Sequence, residues 1–251
     1  MKMDMNASRG SGPSTGVATD ARLRDRFLGL WQRCIIPGAS GDGYQPWRTL
    51  ARYYNEPHRL YHGERHLAHC LEQLDLAIDR VVHPDQVEMA IWFHDVINQP
   101  SRPDNEARSA ELFRELAAGL MPEAFIAAVV RLILATRHRE TPVNPDQQIL
   151  CDIDLASFGC PWECYLRDTG HLRAEFRGSD EDYCNSKRAF LQALQRRPRI
   201  FSTDFFRDRY ERLARENIQR LLDLIDAWQR SPAPIQEGDK LPYFRGVAGR
   251  G

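Results

Sequence analysis

Four of the eight histidines, His58, His62, His66 and His69, fall within twelve residues. His62 and His66 are four apart, so on a helix they would leave one face a turn apart, as a pair of ligands requires. A fifth histidine, His94, is followed directly by Asp95 inside the apolar run Ile91-Trp92-Phe93-His94-Asp95-Val96-Ile97. Burying an imidazole beside a carboxylate costs on the order of several kcal/mol unless something compensates. A bound metal ion is the compensation that suits the pair; the plainer alternative is a core histidine with an acid ending its helix. Downstream, Ile149-Leu150-Cys151-Asp152-Ile153-Asp154-Leu155 again sets carboxylates among apolar neighbours. Two apart on a helix, Asp152 and Asp154 cannot both face one point. One reads as a ligand, and the other as a supporting or capping group.

The elements that must position these residues are helical. The chain has 251 residues, and its hydrophobic share of 42% is enough to bury a sizeable core. Apolar residues recur at helical period almost throughout, with no convincing alternating strand and no internal repeat. Helices are expected over 46–55, 62–79, 84–97, 105–120, 123–136, 146–158, 163–176, 181–195 and 203–228, after a first one capped by Asp20 and ended by Pro37-Gly38. These nine or ten elements make an all-α multi-helix bundle, a single domain over residues 20–230. The Ser- and Gly-rich residues 1–19 read as a disordered leader and residues 231–251 as a flexible tail.

Composition narrows the partners. A formal net charge of −1 argues against DNA as a partner. The most apolar segment, 124–135, is about half a membrane span and carries Arg131, and no signal peptide is evident, so no membrane partner is expected. The six cysteines are scattered, and the one close pair, Cys160 and Cys164, lacks a second pair to complete a zinc site. Reduced thiols in a soluble cytoplasmic protein are the expectation. No phosphate-binding loop or dinucleotide fingerprint is present.

The ordered set of an isolated His, a His-Asp doublet and a distant Asp resembles the signature of the HD superfamily of metal-dependent phosphohydrolases. Tyr61-His62-Gly63-Glu64-Arg65-His66 is similar to a metal motif of cyclic-nucleotide phosphodiesterases, as is Ile153-Asp154-Leu155-Ala156. The closer resemblance, over roughly residues 20–225, is to an uncharacterised bacterial group of predicted phosphohydrolases in that superfamily. Its recurring pieces stand here as Tyr61-His62-x3-His66, Phe93-His94-Asp95, Asn105-Glu106-x2-Ser109-Ala110, Thr136-x-His138, Asp152-x-Asp154-Leu155-x3-Gly159 and Ala214-Arg215-Glu216-Asn217.

That resemblance implies His66, His94, Asp95 and Asp154 as metal ligands, with His62 as a catalytic acid beside the substrate. Two imidazoles and two carboxylates favour Mn²⁺, Fe²⁺, Co²⁺, Ni²⁺ or Zn²⁺ over Mg²⁺. The implied reaction is hydrolysis of a nucleotide or other small phosphate ester by a metal-activated water. Glu106 is a candidate to orient that water. His138 is a candidate for phosphate contact or for a second metal, with a favourable charge at a helix end as its ordinary reading. Asp152 is a candidate second-shell group, and Arg65, Arg108 and Arg137 are candidate phosphate contacts. His69 reads equally as a core residue, and His58, His83 and His171 as surface or structural. Two other functions stay open: a di-iron oxygenase, which would need His138 as a ligand, and a non-catalytic metal- or nucleotide-binding module. A homo-oligomer is compatible with the apolar stripes on 172–176 and 201–206.

Overall fold

The computed structural model describes residues 15–100 and 102–230; the first fourteen residues of the expected leader and the expected tail from 231 onward lie outside them. The described residues are all helical, with ten α-helices and no strand. In chain order these are α1 (Thr15–Cys34), α2 (Tyr44–Tyr54), α3 (Glu64–Ala77), α4 (Pro84–Phe93), α5 (Asn105–Ala117), α6 (Glu123–Ala135), α7 (Pro145–Leu155), α8 (Trp162–Glu175), α9 (Asp180–Arg196) and α10 (Asp204–Arg230). Short 3-10 turns follow α3 and α7. None of the described helices is long and apolar enough to cross a membrane.

The centre of the bundle is α4, whose second half is apolar on most sides and whose one buried acid, Glu88, is paired with Arg26 at 2.8 Å. It opens with Pro84 in its first turn, and every residue from Val87 to Phe93 is buried. It packs against α1, α3, α5, α6 and α7. Phe27, Trp31, Trp92, Phe93 and Phe113 are fully enclosed around it. Two of the later helices begin with side-chain caps. Asn144 accepts from the backbone of Asp146 and Gln147 to start α7, and Ser179 and Asp182 cap α9 reciprocally.

Most helix ends fall within three residues of the sequence reading, and two of the shifted boundaries matter for chemistry. The first helix starts at Thr15, so residues 15–19 continue it rather than belonging to a disordered leader. The third starts at Glu64 behind the extended Gly63, which leaves His62 in the preceding turn. His62 and His66 therefore do not share a helical face. The fourth stops at Phe93, with His94 as its C-cap. Asp95 is thereby released from helical geometry onto the loop.

The second half of the chain is fixed to the first through the turn after α7. A methyl on Gly159 would lie 2.5 Å from Tyr210 Cβ and 2.9 Å from its Cα on α10. Asn217 of the same helix donates to the carbonyls of Phe158 and Cys160, at 2.8 Å each. Because the obstacle is backbone, it cannot swing aside. Gly159→Ala is expected to cost about 1–3 kcal/mol in urea denaturation; an unchanged midpoint would show that α10 does not sit this close.

Candidate metal centre

Side chains from α3, the end of α4 and α7 converge at one buried point. His66 Nε2 and His94 Nε2 are 3.4 Å apart. Asp95 Oδ2 lies 3.1 Å from His94 Nε2 and 3.5 Å from His66 Nε2. Asp154 Oδ1 lies 3.3 Å from His66 Nε2 and 3.7 Å from His94 Nε2. Both imidazoles are 2% exposed, which removes water as a solvent for this much polarity.

Two of the ligand candidates are aimed by a second contact. His94 Nδ1 donates to the Ile91 carbonyl at 2.8 Å, so in the neutral ring Nε2 carries the lone pair that faces the cluster. Asp154 divides its oxygens: Oδ1 faces the two histidines while Oδ2 accepts from His138 Nε2 at 2.8 Å. His138 holds its place in the left-handed backbone region, at φ 53, which costs a non-glycine residue roughly 1–2 kcal/mol. Its carbonyl accepts from Arg197 at 2.6 Å, and that bond helps to hold the turn.

His66, His94 and Asp154 stand in a donor group that could hold a divalent cation, and Asp95 reaches the two histidines from outside that group. Two N or O donors about 2.1 Å from one ion stand roughly 3.0–3.4 Å apart, close to the spacings measured here. Within the cluster the acids and histidines hold one another charged. Burial opposes ionisation of Asp95, yet His94 and His62 outweigh it and hold that carboxyl below the usual range. Asp154 behaves alike, with the hydrogen bonds from His138, His66 and His94 overcoming its burial.

One member of the cluster was not anticipated. Cys70, one turn along α3 from His66, has its sulfur 3.6 Å from His66 Nε2. His66, Cys70, His94 and Asp154 together form a buried group that could hold a metal ion. The His-x3-Cys spacing was a readable signal, since residues four apart share a helix face.

His62 stands beside this centre, its ring centroid 6.0 Å from that of His66. Its Nδ1 donates to Glu175 Oε2 at 2.6 Å. The other oxygen of Glu175 accepts the backbone N–H groups of Leu60, Tyr61 and His62, at 2.7, 2.7 and 3.0 Å. A single buried carboxylate thus shapes the turn and sets the tautomer of His62, leaving Nε2 as its free nitrogen. Burial disfavours a charged His62, but Asp95 and then Glu175 raise its pKa above the ordinary value. Glu175 also escaped the sequence reading. Its signal was an acid in the last turn of a helix, where the dipole disfavours one. With Glu175→Gln, the imidazolium loses its counter-charge. The His62 pKa, followed by proton NMR, is expected to fall. No change would show that the contact is not formed in solution.

The remaining candidates are placed as follows. Asp152 is not in the second shell of the cluster. Two residues before Asp154 on α7, it points the other way and accepts from the backbone N–H of Ser202 and Thr203 and from the Thr203 hydroxyl, at 2.7, 2.8 and 2.7 Å. It holds the turn that leads into α10, and Thr203 in that turn accepts from Phe206 N to cap the helix. Glu106 lies 3.9 Å from Arg137 and forms no ion pair or hydrogen bond with the cluster. Arg108 donates to Gln99, and Arg65 is exposed. His58 contacts the Asn98 carbonyl and His83 pairs with Asp146. Several motif residues fasten the loop after Asp95: Ser109 Oγ accepts from Ile97 N, and Asn105 exchanges bonds with Gln99. A second cluster, Cys160, Cys164 and Asp168, already holds a cation, the guanidinium of Arg167.

Fold and site together define an all-helical protein with a buried His/Cys/Asp cluster suited to a metal ion. Compared with protein-family models, curated proteins and solved structures, the chain finds no match.

Proposed function

We propose that this chain is a metal-dependent phosphohydrolase of the HD superfamily, acting on a small phosphate ester such as a nucleotide. The observation that carries the reading is the convergence of His66, His94, Asp95 and Asp154 with a Glu175-oriented histidine beside them. When bound, a divalent cation supplies Lewis acidity toward a phosphoryl oxygen and lowers the pKa of a water toward ~7. The protein's own groups do the rest. His66 and His94 offer their Nε2 atoms, and Asp95 and Asp154 offer charge. His138 keeps Asp154 turned inward. His62, held protonated by Asp95 and Glu175, gives its proton to the departing oxygen. Glu175 then stabilises the ring in the tautomer that can be reprotonated.

The mixed imidazole and carboxylate set favours Mn²⁺, Fe²⁺, Co²⁺, Ni²⁺ or Zn²⁺, and the Cys70 thiol beside it adds to that preference over Mg²⁺. A di-iron oxygenase would use His138 as a ligand, whereas His138 Nε2 is engaged with Asp154 Oδ2; this contact favours hydrolysis with one ion. The His62–Glu175 pair favours a catalyst over a passive binding module. With the reading go a cytoplasmic setting and a small phosphorylated partner rather than nucleic acid or membrane. The test is elemental analysis of protein purified without added metal, followed by nitrophenyl phosphate hydrolysis with each divalent ion. Turnover that tracks metal occupancy supports the proposal. Full occupancy without turnover on this or on a panel of nucleotides would overturn it.

A further inference from the structure

Beside the centre lies a cavity of about 330 Å³, with His62 and Glu175 in its wall. One stripe of α9 faces it: Tyr183, Ser186, Lys187 and Phe190, at helical spacings of three, one and three. Leu172 and Phe176 of the α8 end supply apolar surface. A helix stripe turned inward is normally apolar throughout. Here it contains a lysine.

Lys187 is unusual in this chain. The three lysines are Lys2, Lys187 and Lys240, and arginine serves as the cation almost everywhere else. Lys187 is the one lysine among the described residues. Its Nζ stands 5.5 Å from the centroid of the Phe158 ring, and no carboxylate of a described residue pairs with it. Burial, with no neighbouring charge contributing, brings its pKa down to about 8. The nearest acid in the cavity wall, Glu175, is already spent on three backbone donors and His62. An ammonium left partly buried and unpaired is costly, and an anion entering the cavity would relieve that cost.

We propose that this cavity binds the organic part of the substrate and that Lys187 recognises a second anionic group on it, remote from the phosphate being cleaved. The inference rests on the hydrolase reading for the position of the cleaved phosphate at the His66 centre, since His62 belongs to both. The substrate class is then a phosphate ester with a small, flat or apolar core bearing a further carboxylate or phosphate. The volume is at the small end of ligand sites, which span roughly 300–1,000 Å³, so a single ring fits the description better than an extended dinucleotide.

The test has two arms. Protein labelled with ¹³Cε-lysine gives signals from only three lysines, and that of Lys187 is identified by its loss in Lys187→Met. Benzoate and phenylphosphonate, the carboxylate and phosphorus probes, are titrated into metal-stripped protein beside neutral benzamide. A saturable shift of the Lys187 signal with either anion but not with benzamide supports the site, and the more effective anion names its ligand. In the second arm, 4-carboxyphenyl phosphate and phenyl phosphate are compared as substrates of the metal-loaded protein. Wild type is expected to prefer the carboxylated ester in kcat/KM by roughly ten- to hundredfold, the worth of a hydrogen bond to a charged group. In Lys187→Met the ratio falls to about one. Hydrolysis of both esters with equal efficiency and an unmoved Lys187 signal overturns the cavity assignment and leaves the hydrolase standing. A shifted Lys187 signal with neither ester hydrolysed supports the anion site and counts against the hydrolase.

Discussion

Asp154→Asn is expected to empty the metal centre while leaving the fold intact. The amide keeps the shape of the carboxylate but removes the charge that faces His66 at 3.3 Å and His94 at 3.7 Å. It also alters the acceptor that receives His138. Loss of a supporting partner alone costs roughly 10–100-fold in metal affinity, so loss of a donor oxygen should cost at least that much. Equilibrium dialysis followed by elemental analysis measures it. Asp152→Asn is the internal comparison, because that residue lies on the same helix and braces the turn before α10 instead. It should lower stability and spare metal content. If the two variants bind metal alike, Asp154 is not a donor. Cobalt loading distinguishes the donor sets further: thiolate-to-cobalt charge transfer that disappears in Cys70→Ser places sulfur on the ion, and a spectrum without that band leaves nitrogen and oxygen alone.

The second large effect is on stability and belongs to Arg59. Its side chain is fully buried, and one guanidinium serves four acceptors: Glu56 at 3.0 Å and the carbonyls of His62, Asp95 and Val96 at 3.0, 2.6 and 2.7 Å. It ties the His62 turn to the Asp95 loop across the chain. Arg59→Met fills similar volume and strands those carbonyls without a donor. The expected loss is about 3–5 kcal/mol in urea denaturation, the scale for breaking a buried charged contact. Arg59→Lys should recover little, since a single ammonium cannot reproduce a planar fork that reaches several acceptors. A change within about 0.5 kcal/mol, the range of an ordinary surface substitution, would mean that water satisfies those carbonyls.

Arg59 also shows where legibility in the sequence ends. Helices could be placed from periodicity because each apolar stripe is a local pattern, and the run Ile91 to Ile97 stood out because His94 and Asp95 interrupt it. The convergence of His66, His94, Asp95 and Asp154 was foreshadowed by chemistry that apolar surroundings do not tolerate uncompensated. Arg59, by contrast, bonds to main-chain carbonyls 36 and 37 residues away, and any sequence offers carbonyls. Glu175 reaches His62 across 113 residues, so its role depends on how α8 docks rather than on any motif. The placement of His62 on a helix erred by two residues, because Gly63 in an extended conformation begins α3 later than the spacing alone suggests. The division of labour between Asp152 and Asp154 followed from helix geometry, but which acid went where depended on α10, contributed fifty residues later.

That division has a consequence for how the protein can change. The short helix α7 is keyed at two points of its circumference, by a charge turned toward the histidines and by another seated under the first turn of α10. A one-residue insertion or deletion within it would swing both acids by about 100°, the angle of one helical step. Selection for a different ion therefore cannot rotate this helix without also unseating the longest one. Retuning the centre must proceed by exchanging side chains in place.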